Sequence, residues 1–415
     1  MFLDIFEMKC ELCFLFSTRY INSLKKIIDF NDSKTAFELK SNNELRRAFF
    51  LFKLISYPFL VTIGKTLVFL SIKLRLPVNF IIKNTVFDHF CAGINDNDSI
   101  KVVNSLASKK VSSYLHYSIE ASESESDYNK CLESTLKTID ISKNNLNLPF
   151  IVFKPTGYGS TDLLEKQSKS IPFNSSENKK WERMINRFRI TFEKAKSLKI
   201  KVFVDAEESW IQPAIDEIVE KFMIEYNRSD ALIFNTIQMY RKERLEYLKQ
   251  LKNKAVKLKF KIGIKLVRGA YMEKERGRAK KMNYNSPICD TKKDTDHQYN
   301  KGVEFMFNNI DLFSIFLGSH NEESVLKALI LAEKMSISNN HPNLYFGQLY
   351  GMSDNLTFTL AKYGYNSVKY LPYGPVKEVI PFLIRRAEEN TSVSGQTNRE
   401  LDLIKSEVKR RKFIT

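Results

Sequence analysis

Lys369-Tyr370-Leu371-Pro372-Tyr373-Gly374-Pro375-Val376-Lys377-Glu378-Val379-Ile380-Pro381-Phe382-Leu383-Ile384-Arg385-Arg386-Ala387-Glu388-Glu389-Asn390 is the stretch on which the reading of this chain turns. It has the pattern of an apolar strand end that delivers an aromatic, a tight turn, and a helix opened by proline. The helix closes on two adjacent arginines and a glutamate. Paired guanidinium groups can grip a carboxylate through forked, charge-assisted hydrogen bonds, and a tyrosine at a strand end supplies a flat apolar wall beside it. On the helix alone, adjacent arginines near a C-terminus are ordinarily solvated cations favoured by the helix dipole. Their meaning depends on whether the rest of the chain repeats this strand-turn-helix unit.

It does. Strands are expected over residues 111–119, 150–154, 201–205, 231–236, 260–267, 313–318, 344–349 and 367–371. Between them lie amphipathic segments such as 181–198, where Trp181, Met184, Ile185, Phe188, Phe192 and Ala195 recur on one helical face. Eight alternating units predict an α/β fold, a distorted (β/α)8 TIM-like barrel with its site at the C-terminal rim. Residues 1 to about 105 read as a helical N-terminal arm, with apolar runs at 45–50 and 59–70, and residues 106–415 as the barrel. Polar stretches at 160–180 and 272–296 are expected as a long loop or broken helix and as a charged rim insertion.

The chain has 415 residues, 43% of them hydrophobic, which is ample material for a large core. Its net charge of +17 raises the question of nucleic acid. The lysines, such as Lys242, Lys249, Lys252, Lys254, Lys257 and Lys259, are scattered along amphipathic segments, which predicts a compositional bias and no specific nucleic-acid site. Five dispersed cysteines fit a reduced compartment, and Cys10-x-x-Cys13 lacks the second ligand pair that zinc needs. The spacing of the five histidines likewise assigns no metal. Asp4, Glu7 and Glu11 interrupt the apolar N-terminus, so neither a secretory signal nor an acid-poor presequence is expected. Residues 49–73 are apolar but carry Lys53, Pro58, Gly64 and Lys65, which predicts a packed hairpin and allows peripheral membrane contact.

At a barrel's C-terminal rim the strand ends should be polar and specific, and they are. Lys154 ends the second strand and Asp205 the third, and from adjacent strands they are expected to pair inside a pocket. The fourth strand leads to Asn235-Thr236-Ile237-Gln238, the fifth to Lys265-Leu266-Val267-Arg268-Gly269-Ala270-Tyr271, the sixth to Ser319-His320-Asn321 and the seventh to Gln348-Leu349-Tyr350-Gly351-Met352. Such a rim could serve a large polar cofactor with phosphates. No GxGxxG or Walker loop is present, which argues against a Rossmann or P-loop site.

Together with Val204-Asp205-Ala206-Glu207, Pro287-Ile288 and the segment 369–390, these blocks resemble the FAD-dependent proline dehydrogenases, most closely their monofunctional eukaryotic branch. The resemblance implies noncovalent FAD and oxidation of L-proline to Δ1-pyrroline-5-carboxylate by hydride transfer to flavin N5. Arg385, Arg386 and Lys154 match the family's carboxylate binders, Tyr370 the tyrosine packed on the proline ring, and Asp205 an organising aspartate. Leu349 and Tyr271 match further pocket residues. Glu389 matches a glutamate expected to orient Arg385, and Glu120 a carboxylate that gates the pocket through an arginine. For the flavin, Gln238 and Lys265 match the positions at the ring and near N5. Arg268, Ser319, His320 and Asn321 match positions around the isoalloxazine, ribityl and phosphate portions.

Three departures stand out: His116 where the family usually has aspartate, Cys289 in place of a polar residue, and the turn Pro155-Thr156-Gly157. The family also implies a quinone acceptor and a location at the matrix side of the mitochondrial inner membrane. Hydroxyproline dehydrogenase is the near alternative, against which Tyr370 argues. A flavin-dependent folate reductase and a nucleic-acid-binding protein are the distant ones.

Overall fold

Side chains along a strand alternate between the inside of a ring and its outer face, so a period of two brings inward residues of neighbouring strands to common levels. In the computed structural model, which describes residues 28–74, 79–117, 124–392 and 394–413, eight strands form one all-parallel sheet. They are β1 (Val111–Tyr117), β2 (Phe150–Phe153), β3 (Lys201–Val204), β4 (Ile233–Gln238), β5 (Ile262–Val267), β6 (Phe313–Gly318), β7 (Leu344–Leu349) and β8 (Ser367–Tyr373). Their order is β1-β8-β7-β6-β5-β4-β3-β2. At the seam the Ser113 N–H donates to the Asn147 carbonyl, just ahead of β2, at 2.7 Å. The expected (β/α)8 barrel is present, and each strand lies where the sequence places it.

The lower interior is filled with rings. Phe150 stacks on Phe203 at 4.4 Å between centroids, and Phe203 meets Phe316 edge-on at 4.7 Å. The ammonium of Lys201, at the start of β3, lies 4.6 Å over the Tyr345 ring. So much aromatic volume leaves no room for a side chain on some neighbours. A Cβ on Gly347 would stand 2.2 Å from Phe316 Cζ, and one on Gly263 would stand 2.7 Å from Phe234 Cγ. The barrel is thus packed from below, and only its upper level is open to polar groups.

Outside the ring, the helix Ser175–Ser197 buries Met184, Phe188, Phe192 and Ala195 on the face anticipated from their spacing. The 160–180 segment is a broken helix: Thr161–Ser168 ends, and the next helix opens on a capping box between Asn174 and Glu177. The charged insertion after β5 contributes a helix, Met272–Met282.

From residue 28 on, the described part of the arm is mostly helical, and the helices Asn42–Ile55 and Pro58–Lys73 meet at a bend of 102°, closer to a right angle than to the expected hairpin. Ala36, Phe37, Leu45, Ala48 and Phe52 share one apolar cluster with Leu401, Leu403, Ile404 and Val408 of the C-terminal helix Ser394–Arg411. Leu51, Ile55, Phe87 and Phe90 belong to the same core as Val379, Ile380, Phe382 and Leu383 of the arginine-bearing helix Val376–Ser392. The arm therefore braces the helix that the opening segment singles out.

Candidate active site

Alternation decides which strand-end residues face inward. Lys154 follows Phe150 and Val152 on β2, Asp205 follows Phe203 on β3, and Gln238 follows Phe234 and Thr236 on β4. Lys265 follows Gly263 on β5, Tyr370 follows Val368 on β8, and His116 follows Tyr114 on β1. These residues converge at the C-terminal mouth.

Lys265 donates to Asp205 at 2.6 Å, and its ammonium lies 5.1 Å from the Phe203 ring centre and 5.4 Å from that of Tyr114. Burial works to raise the Asp205 pKa. The charges of Lys265 and His116, the Lys265 hydrogen bond and the Lys154 charge outweigh it, so the carboxyl stays below its usual range. The expected Lys154–Asp205 ion pair is not formed. Lys154 is the residue before Pro155, held extended by it, and remains half-buried at the mouth while the ring-supported ammonium of Lys265 takes the carboxylate.

Tyr370 is buried, with its ring 5.2 Å from Tyr114 and 6.0 Å from Phe382. Its hydroxyl is hydrogen-bonded to His116 Nδ1. Desolvation first, then Lys154, Lys265 and Arg385 against the opposing pull of Asp205, hold the His116 imidazole down to about 4. Arg386 is buried, with its guanidinium 5.4 Å from the Phe382 ring centre one turn earlier. Arg385 is half-buried, and its positive charge acts on His116, Tyr370 and Tyr271 alike.

Tyr271 donates to Glu207 at 3.1 Å, and the other oxygen of that carboxylate accepts from Thr156 at 2.7 Å. Gln238 donates its amide to the Glu207 carbonyl at 2.7 Å and accepts from the Ala270 N–H at 3.3 Å. Leu349 is half-buried at the end of β7. A second group gathers beyond β5. Arg268 is forked between Asp296 at 2.7 Å, Ser319 at 2.9 Å and Ser324 at 2.9 Å, with its guanidinium 4.4 Å over Tyr299. Asn321 caps the helix Glu322–Lys334, and His320 Nδ1 lies 3.0 Å from the Ser353 hydroxyl.

Lys154, Asp205, Tyr370, Arg385 and Lys265 thus gather at the mouth. Arg268, Ser319, His320 and Asn321 form a polar shelf on its β5–β6 side. Glu120 and the Glu389 side chain lie outside the described residues. Sequence reasoning passed over two groups. His116 was legible only as a departure, although alternation along β1 turns it inward with Tyr114. Glu207 stood in a quoted block without a role, although it ties Thr156 to Tyr271.

A family model described as "Proline dehydrogenase" matches residues 99–399. The chain is 37% identical over 306 residues to the carbapenem antibiotics biosynthesis protein CarD of Pectobacterium carotovorum subsp. carotovorum, covering 74% of this chain and 79% of that protein. It is 31% identical to proline dehydrogenase 1, mitochondrial, of Dictyostelium discoideum, over 92% of this chain and 75% of the relative. It is 30% identical to the hydroxyproline dehydrogenase of Xenopus laevis, over 97% and 94%. Among solved structures, proline utilization A from Bdellovibrio bacteriovorus superposes with a TM-score of 0.69 at 19% identity, over 90% of this chain and 41% of that longer one. That likeness bears on the fold.

Proposed function

The chain belongs to the proline dehydrogenase family, and we propose that it is an FAD-dependent enzyme that oxidises L-proline to Δ1-pyrroline-5-carboxylate. What supports the reading is that the charges of Arg385 and Arg386 both act on the buried Tyr370, while those of Arg385 and Lys154 act on its hydrogen-bond partner His116. Three cations at one end of an aromatic wall suit a small cyclic amino acid held by its carboxylate. Such a grip fixes the ring in one orientation, so that the C5–H bond to be broken always faces the same way.

The donor set on the β5–β6 side fits a large anionic cofactor. Arg268, His320, Ser319 and the N-terminus of the helix Glu322–Lys334 would hold its phosphates, and Gln238 and Lys265 would hold its ring. FAD, when bound, supplies the two-electron acceptor that takes the hydride from proline C5 and later gives the electrons to a quinone. The substrate nitrogen gives up a proton to solvent at the mouth, and its electron pair forms the N=C5 double bond as the C5–H bond breaks. Asp205 stays ionised and holds Lys265 in place, so the mouth keeps a fixed charge pattern throughout.

We place the protein in the mitochondrion, as in the relatives whose names carry that word, at the matrix face of the inner membrane. The support is the arm's outer surface, where Phe50, Leu54, Phe59, Leu67, Leu70 and Phe80 are exposed in a chain of net charge +17. No single helix among the described residues is long and apolar enough to cross a membrane, although the bent pair Asn42–Ile55 and Phe59–Val68 passes that test together; the contact proposed here is a peripheral one.

Purified protein should be yellow and should bleach anaerobically on adding L-proline. Bound flavin that does not respond to proline would reject the substrate. The likeness to a hydroxyproline dehydrogenase favours a second reading. The ratio of kcat/KM for proline and for trans-4-hydroxy-L-proline decides between them, and the bulk of Tyr370 favours proline.

A further inference from the structure

Tyr370 stands opposite Tyr114 in the β1–β8 ladder, and the next inward residue of β1 is His116. The phenol bond to His116 Nδ1 therefore runs diagonally up the ladder and ties together two residues far apart in sequence. The Tyr370 ring is packed between Tyr114 and Phe382, and its one polar atom is taken by the imidazole. The two ring contacts are tilted, at 59° and 48°, and do not stack on its faces, so the bond at its tip is what fixes the orientation of this buried phenol.

We propose that His116 is a specificity-determining positioning residue. By holding the Tyr370 hydroxyl, it keeps the aromatic wall closed against a substituent on the substrate ring, and so selects proline over 4-hydroxyproline. The inference rests on the reading of this mouth as a proline pocket. The surroundings suit a neutral imidazole in that part. Asp205 is the anion that acts on it, and Lys154, Lys265 and Arg385 are the cations, which disfavour a further positive charge. A neutral ring with its proton on Nε2 can accept from the phenol at Nδ1 while leaving the carboxylate clamp to the arginines. Without the imidazole, the phenol is free to rotate and a space opens beside it where a ring hydroxyl fits.

The test is the ratio of kcat/KM for L-proline to that for trans-4-hydroxy-L-proline. His116→Ala should lower this ratio about tenfold, chiefly through KM, a change of the size expected for losing steric rejection of one small group. Tyr370→Phe, which keeps the ring and removes the hydroxyl, should lower it by a similar factor, and the double variant should go no further. His116→Asn, whose amide can stand where Nδ1 stands, should restore most of the ratio. If His116→Ala does not fold, Tyr370→Phe and His116→Asn carry the test. Parallel losses on both substrates with an unchanged ratio would overturn the proposal, as would additive effects in the double variant. Wild-type protein inert to both imino acids would instead overturn the proline reading beneath it.

Discussion

Lys265 reaches across β4 from β5 to hold Asp205 at the end of β3, at 2.6 Å, with aromatic rings beneath its ammonium. The two side chains are unequally sheltered, 9% exposed for the lysine and 19% for the aspartate. Removing either partner leaves a charge behind, and the more buried one suffers more. Asp205→Ala should therefore destabilise the fold by about 3–5 kcal/mol, the range for an abandoned buried charge. Lys265→Met should cost less, because the carboxylate can take water at the mouth. Urea midpoints at neutral pH measure both. The acid dependence follows from the lowered Asp205 pKa. Its stabilisation is present above the ordinary value of 3.8 and is lost as pH falls through the lower folded value, so Asp205→Asn should flatten the acid limb of the stability profile.

Gly347 faces the Phe316 ring so closely that a methyl group would overlap its edge at 2.2 Å. Phe316 cannot yield easily, since Phe203, Phe150 and Tyr114 surround it. Gly347→Ala should cost about 1–3 kcal/mol through overpacking. A denaturation midpoint equal to that of the wild type would show that the rings can move.

Much of this was legible in the chain because a barrel writes its strands as short apolar runs and its site as inward residues toward their C-terminal ends. Lys154, Asp205, Lys265 and Tyr370 all obey that rule. Pairing was less legible than position. Asp205 was expected to meet Lys154 from the next strand, but the partner comes from two strands away, because a lysine over aromatic rings reaches farther inward than one pinned before Pro155. The bond between His116 and Tyr370 depends on β1 meeting β8 when the ring closes, which no local pattern announces. The same holds for the C-terminal helix, whose Leu403 and Ile404 find their cover in Phe37 and Leu45 near the other end of the chain.

Glu400 of that helix accepts from the Ser353 N–H at 2.5 Å, and Ser353 has left-handed backbone at φ 49° while its hydroxyl meets His320. Burial and the neighbouring Asp354 raise the Glu400 carboxyl to about 7, against the Ser353 bond, Lys369 and Lys40. A carboxyl with a raised folded pKa contributes stability that is full below its ordinary value of 4.5 and lost as pH rises through about 7. The Tm of the wild type should therefore decline across that window. Glu400→Gln, which keeps an acceptor for Ser353 and cannot ionise, should remove this part of the decline. Parallel Tm–pH curves for the two proteins would show that Glu400 does not titrate there.

Arg386 is the sharper test of the anion clamp, because its guanidinium is buried beside Phe382 where a solvated surface cation would not be. Lysine at that position keeps the charge but presents a single point donor in place of a planar fork, and it loses the flat contact with the ring. If the fork holds the substrate carboxylate, Arg386→Lys should raise the KM for proline by about ten- to a hundredfold, matching the loss of one charge-assisted bond of about 1.5–3 kcal/mol. The change in kcat should be smaller, since a contact made equally in the bound and transition states acts on binding. A fall in kcat with unchanged KM would move Arg386 from holding the carboxylate to orienting the ring, and no change in either would return it to the solvated cation that an arginine pair at a helix end ordinarily is.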